Sequence, residues 1–101
     1  MILYNVTLNI DNSVHEDWLK WMREIHIPEV MATGMFTENR LLRLLNQEDS
    51  ESMTYCSQYT ARNINDYETY IEKHADGLRA KFNERYKDKF VAFRTLLEII
   101  Q

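Results

Sequence analysis

A chain of 101 residues, 45% hydrophobic and 28% charged, has room for one hydrophobic core and excludes a second, so residues 1–101 are read as a single domain. A formal net charge of -4 and a pI near 5.3 turn the chain away from phosphate backbones, and nucleic acid is not an expected partner. Two glycines and one proline leave no linker, one cysteine (Cys56) leaves no internal disulfide, and the short apolar runs leave no expected membrane span or signal peptide, so the expected location is the cytoplasm.

The first element is a strand. In "ILYNVTLNI", Ile2, Tyr4, Val6, Leu8 and Ile10 alternate with Leu3, Asn5, Thr7 and Asn9, the period of two that separates the faces of a sheet. Ser13 and Glu16 then have capping-box spacing, and Val14, Trp18, Trp21, Met22 and Ile25 follow at helical steps, which predicts a first helix starting at Ser13. Pro28 has no N–H to donate and disfavours helical backbone at Ile27, so that helix is expected to end or kink at about His26. "PEVMATG" can form one further turn, stopped by Gly34, and a second strand is expected from about Met35.

The polar run "NQEDSES" suits a hairpin connection into a third strand, "MTYCSQYTA", with Met53, Tyr55 and Tyr59 on one side and Thr54, Gln58 and Thr60 on the other. Asn65 and Glu68 repeat the capping spacing ahead of a long stripe, Ile64, Tyr67, Ile71, His74, Leu78, Phe82 and Tyr86, which predicts a second helix with a kink or break at Gly77. "FVAFRTLLEII" closes the chain as a fourth strand. The order β-α-β-β-α-β with right-handed crossovers gives an α+β, ferredoxin-like domain: a four-stranded antiparallel sheet, order 4-1-3-2, with both helices on one face. The other face is expected to carry Leu3, Asn5, Thr7 and Asn9 with Gln58, and with Ala92, Arg94, Leu96 and Glu98 from the last strand. Leu3, Leu96 and Ile100 need covering there, so two copies are expected to pair through their sheets, with Leu3, Asn5, Thr7, Gln58, Arg94 and Leu96 at the interface.

"YNVT", "WLKWM", "HIPEVMATGMF", "QYTA", "YETYIEKHA" and "FVAFRTLLE" together resemble an uncharacterised family of short bacterial proteins in the dimeric α/β-barrel superfamily, over nearly the whole chain. The resemblance implies that two ferredoxin-like sheets pair face to face as a homodimer. The superfamily includes cofactorless quinone-forming monooxygenases, haem-dependent members and ring-modifying enzymes, but the family resembled most closely brings no activity with it. The segment around "HIPEV" is also similar to the stretch after the first helix in ligand-binding members, where a histidine lies near the pocket between helix and sheet.

Trp18, Met22 and His26 are successive four-residue steps on the sheet-facing ridge, which makes His26 a half-buried imidazole at a helix end. It can serve as a base toward a phenol, or it can satisfy a carbonyl left free by the helix terminus; the structural role is placed first. His15 is expected in an exposed first turn and His74 on the apolar stripe, and neither has a partner at metal-ligand spacing, so no metal and no cofactor are expected. Tyr4, Tyr55 and Tyr59, with Trp18, Met22, Tyr70 and His74, are the further candidates to line a ligand pocket, each weighed against a plain core role. Two functions follow: a non-catalytic dimeric module binding a small apolar or aromatic molecule, or a protein, between helices and sheet; or a cofactorless monooxygenase acting on a small aromatic or quinol compound with His26 as general base. The bulk of Trp18, Trp21, Met22, Tyr4 and Tyr59 in so small a domain favours the first.

Overall fold

The computed structural model describes residues 1–46 and 51–101, so most of the expected hairpin connection over 46–52 lies outside the described residues. Four strands, β1 (Ile2–Asp11), β2 (Glu38–Arg43), β3 (Ser52–Ala61) and β4 (Phe90–Glu98), form one antiparallel sheet in the order β2-β3-β1-β4. This is the expected 4-1-3-2 order, and two helices, residues 15–32 and 64–85, complete the ferredoxin-like fold. No helix among the described residues is long and apolar enough to cross a membrane.

Both helices pass through a wider turn. The first consists of α-helical His15–Trp21 and Ile27–Ala32 joined by a π turn, Met22–His26, in which the Ile27 N–H donates to the Met22 carbonyl five residues back. Pro28, expected to end or kink this helix at His26, sits instead in the first turn of its last segment. A proline in a first turn breaks no helical bond, because the wider turn has already interrupted the four-residue ladder. The helix therefore runs to Ala32, where the Gly34 N–H donates back to the Met31 carbonyl and Gly34 takes φ +78°. A Cβ at Gly34 would meet nothing within 4 Å, so Gly34→Ala carries a pure backbone cost. We expect that substitution to lower stability by about 1–2 kcal/mol with an unchanged denaturant m-value, measured by urea titration.

The start of the first helix differs from expectation. Val14 holds the N-cap position with no side-chain cap, and Ser13 spends its N–H on Asp11 Oδ1 at 2.8 Å, so Ser13 and Glu16 form no capping box. That hydrogen bond holds the Asp11 carboxyl below its usual range. At the second helix the cap is Asn63, not Asn65: its side chain accepts from the Asp66 N–H at 2.8 Å. The expected break at Gly77 is a π turn just before it, Ile71–Ala75, with Gly77 exposed in regular helix beyond. The second strand begins at Glu38, because Met35 and Phe36 serve to drop the Phe36 ring into the core.

The helix-facing side of the sheet carries Tyr4, Leu8 and Ile10 from β1 and Tyr55 and Tyr59 from β3, all buried. Two apolar clusters fill the layer. One surrounds Leu8, Ile10, Trp18, Met22 and Tyr55; the other surrounds Tyr4, Val30, Phe36, Tyr59 and Tyr70.

The register of β4 corrects the expected open face. Val6 pairs with Arg94 and Tyr4 with Leu96, whereas Thr7 pairs with Phe93 and Leu3 with Leu97. Residues paired directly share a face. Ala92, Arg94, Leu96 and Glu98 therefore lie on the helix side, and Val91, Phe93, Thr95 and Leu97 lie on the open one. The cause is that Phe90 turns inward to pack its ring 4.5 Å from Phe82, and Arg94 is tolerated inside because it finds an oxygen there. Leu3, Asn5, Thr7 and Gln58 do occupy the open face, whereas Arg94 and Leu96 do not.

Candidate functional site

A cavity of about 40 Å³ lies between the second helix, the first helix and the sheet. Its floor is Tyr4, Val6 and Leu8 of β1 with Ser57 and Tyr59 of β3; one wall is Met22, His26 and Val30; the other is Tyr70, Leu78, Arg79, Phe82 and Asn83; Arg94 closes the edge from β4. The space holds a water or two and is too small for an aromatic ring in the conformation described.

His26 is placed here by the π turn. The wider turn brings the imidazole over the ring of Trp21, five residues earlier, with centroids 4.9 Å apart and planes 23° from parallel, while Phe82 meets it edge-on at 5.4 Å. Desolvation among these rings drives its pKa down to about 4; Glu29 pulls the other way and Lys81 adds to the drop. The ring is therefore neutral at pH 7. No hydrogen bond to it is found among the described residues, so the expected role of satisfying a helix-end carbonyl is not what holds it; aromatic packing is.

The tyrosines divide. Tyr4, Tyr59 and Tyr70 line the cavity together with Met22 and His26. Burial raises Tyr59 to about 12, against a hydrogen bond with Ser57 that lowers it, and burial likewise raises Tyr70. Neither is an acid near neutral pH. Tyr55 and Trp18 belong to the other cluster and do not reach the cavity: Tyr55 Oη lies 2.6 Å from Nε2 of His15, and the Trp18 ring packs 4.9 Å from Tyr55. His15, expected exposed, is thus half-buried. His74 stacks on Tyr70 at 6.4 Å without lining the cavity. Among the described residues no three of His, Cys, Asp and Glu converge as a metal site would require.

Two cavity residues were not legible as such. Arg79, in a run read as a solvated helix face, and Arg94, assigned to the wrong side of the sheet, both turn toward Tyr4: Nη2 of Arg79 donates to Tyr4 Oη at 3.0 Å and Nε of Arg94 at 3.1 Å. The available signal was the odd placement of an arginine inside "FVAFRTLLE" opposite the apolar parity of β1.

The family model described as Domain of unknown function (DUF4286) matches residues 1–100. Among solved structures, HapK from Hahella chejuensis superposes with a TM-score of 0.73 at 9% identity, covering 99% of this chain and 93% of that one. A dimeric ferredoxin-like protein from an uncultured marine organism gives 0.72 at 11% identity over 100% and 96%. The haem degrader MhuD from Mycobacterium tuberculosis, solved with two haems in its active site, gives 0.69 at 13% over 100% and 97%. At such identities the likeness is one of fold. No curated protein matches the sequence.

Proposed function

The chain belongs to the DUF4286 family, and on that premise we propose that it is a non-catalytic homodimeric module whose helix–sheet cavity binds a small ligand with an apolar or aromatic body. The observation that carries this reading is the lining of the cavity: an apolar floor and walls, interrupted by a few polar groups that converge, is the pattern of a binding pocket. Opening it for a ring requires only that long side chains at its rim, Arg79 and Asn83, swing outward.

The monooxygenase alternative fares worse on chemistry. A general base works best when its pKa lies near the operating pH, and an imidazole held at about 4 is a poor proton acceptor from a phenol. It also lacks a carboxylate or carbonyl to fix its tautomer, and both the Trp21 and Phe82 rings crowd it. Dimerisation through the open sheet faces is supported by Val91 and Phe93, which expose 68% and 61% of their surface, with Leu42 and Leu97 beside them.

The test is a ¹H–¹⁵N titration of the whole chain with a panel of phenols, hydroquinones and aromatic acids. We expect at least one compound to move the amides around His26, Ser57 and Leu78, and Leu78→Phe, which fills the cavity, to abolish the effect. Oxygen uptake with a hydroquinone that vanishes in His26→Gln would overturn the non-catalytic reading in favour of an enzyme.

A further inference from the structure

The polar end of the cavity is composed entirely of donors. Arg79 reaches it from the second helix and Arg94 from β4, opposite walls, and each spends one N–H on Tyr4 Oη, at 3.0 and 3.1 Å. A guanidinium has five N–H groups, so most of each fork is left over. The phenol oxygen, with both lone pairs occupied, has its own O–H free to donate. Nε of Arg79 is buried and meets no acceptor.

The charge balance points the same way. Arg40, Arg62 and Arg85, on the surface, each have a carboxylate within 4 Å: Glu38, Asp66 and Asp17. Arg79 and Arg94 have none among the described residues, although the chain holds 16 acids against 12 bases. Two guanidinium groups that converge on one neutral oxygen repel each other, and burying that arrangement without an anion is unfavourable. An oxyanion placed between them removes the repulsion, gives the orphaned Nε an acceptor and takes the Tyr4 O–H. A carboxylate matches the planar fork of each guanidinium.

We infer that Arg79, Arg94 and Tyr4 form a carboxylate clamp at the mouth of the cavity, so that the ligand is a small organic acid with its acid group in the clamp and its apolar body directed toward Val6, Leu78 and Phe82. This rests on the reading of the cavity as a ligand pocket and deepens it by naming the ligand class.

Benzoate, benzamide and inorganic phosphate, titrated in turn into the ¹⁵N-labelled full-length chain at pH 7, separate the possibilities. The expected result is that benzoate shifts the amides around Tyr4, Leu78 and Arg79 and that the isosteric but neutral benzamide binds at least tenfold more weakly. Arg79→Gln and Arg94→Gln should each weaken benzoate tenfold or more, and Arg79→Lys, which keeps the charge but loses the fork, should fall between. Thermal melts identify any variant that fails to fold, in which case the benzoate-to-benzamide ratio on the unaltered protein decides alone. Equal affinity for benzoate and benzamide overturns the clamp and leaves the pocket standing. Phosphate binding at the arginines with no effect from benzoate keeps an anion site but overturns the organic-acid ligand and the pocket with it. No shift from any of the three overturns both.

Discussion

Phe93→Glu is expected to convert the protein from a species of twice the 12.2 kDa chain mass to one of 12.2 kDa in light scattering at micromolar concentration. Phe93 stands on the open face of the edge strand β4, next to Val91 and opposite Thr7 of β1, and has 61% of its surface exposed in the single chain. The same face holds a polar strip: Asn5 Nδ2 donates to Thr7 Oγ1 at 3.1 Å, and Asn9 Nδ2 to Thr54 Oγ1 at 3.0 Å. Asn5 Oδ1, although buried, has no donor within the chain. A second sheet laid across this face covers the apolar edge and can bring a donor to that oxygen. A two-fold axis counts every substitution twice. Two carboxylates buried without partners at ~2 kcal/mol each weaken association by about a thousandfold, enough to dissociate a micromolar dimer. Leu96→Glu is the control: although expected at the interface from the sequence, Leu96 pairs with Tyr4 and faces the helix side, so its charge should leave the mass unchanged. A monomeric wild type, or a dimer that survives Phe93→Glu and is lost with Leu96→Glu, would sink this arrangement.

That reversal of Arg94 and Leu96 shows where the sequence stops being readable. The first strand has a polar side and an apolar side, Asn5, Thr7 and Asn9 against Tyr4, Val6 and Leu8, and its orientation follows directly. The last strand has apolar residues at both parities: Phe90, Ala92 and Leu96 alternate with Val91, Phe93 and Leu97. Hydrophobicity therefore cannot decide which set faces in, and a charged residue tips the guess outward. What decides in the structure is a long-range pair, Arg94 with Tyr4, 90 residues apart. The same limit explains Arg79, whose helix-surface spacing looks solvated until the Tyr4 hydroxyl is placed beneath it.

Helix interiors were more legible than their irregularities. The stripe that includes Trp18, Trp21 and Met22 packs as its spacing predicts, and Gly34 stops the first helix as expected. The two π turns leave no periodic mark, since a single extra residue shifts the phase by less than the natural scatter of apolar positions. Pro28 was the one local sign in the first helix, and it was read as a terminator when its real partner is the widened turn just before it. Without that turn, His26 and Trp21 would point well apart around the helix and the stacked pair at 4.9 Å would not form. The histidine was singled out correctly as half-buried and sheet-facing, but its neighbours, Trp21 from the same helix and Phe82 from the other, depended on backbone geometry that the sequence does not encode locally.

The imidazole makes the largest pH effect we expect in this protein. In the folded chain His26 titrates at about 4, and in the unfolded chain at its ordinary 6.5, because burial between aromatic rings penalises the charged form. As pH falls through 6.5 the unfolded state takes up a proton that the folded state refuses until about 4, so unfolding is favoured progressively across that window. Stability from this residue is full above 6.5, declines by up to about 3 kcal/mol as pH reaches 4, and falls no further below it. His26→Gln has nothing to titrate there. Urea unfolding of both proteins at pH 7.5, 5.5 and 4.0 gives two curves that share the carboxylate background, so their difference isolates the histidine. Wild type should lose about 3 kcal/mol more than the variant over that range. Glu29→Gln should deepen the effect, since the Glu29 carboxylate is the group that holds the imidazole pKa up, against Lys81, which bonds to it at 2.9 Å. Parallel curves for wild type and His26→Gln, or an NMR titration of the His26 ring with a midpoint near 6.5, would show that the ring meets water in solution and that the Trp21 and Phe82 faces do not enclose it.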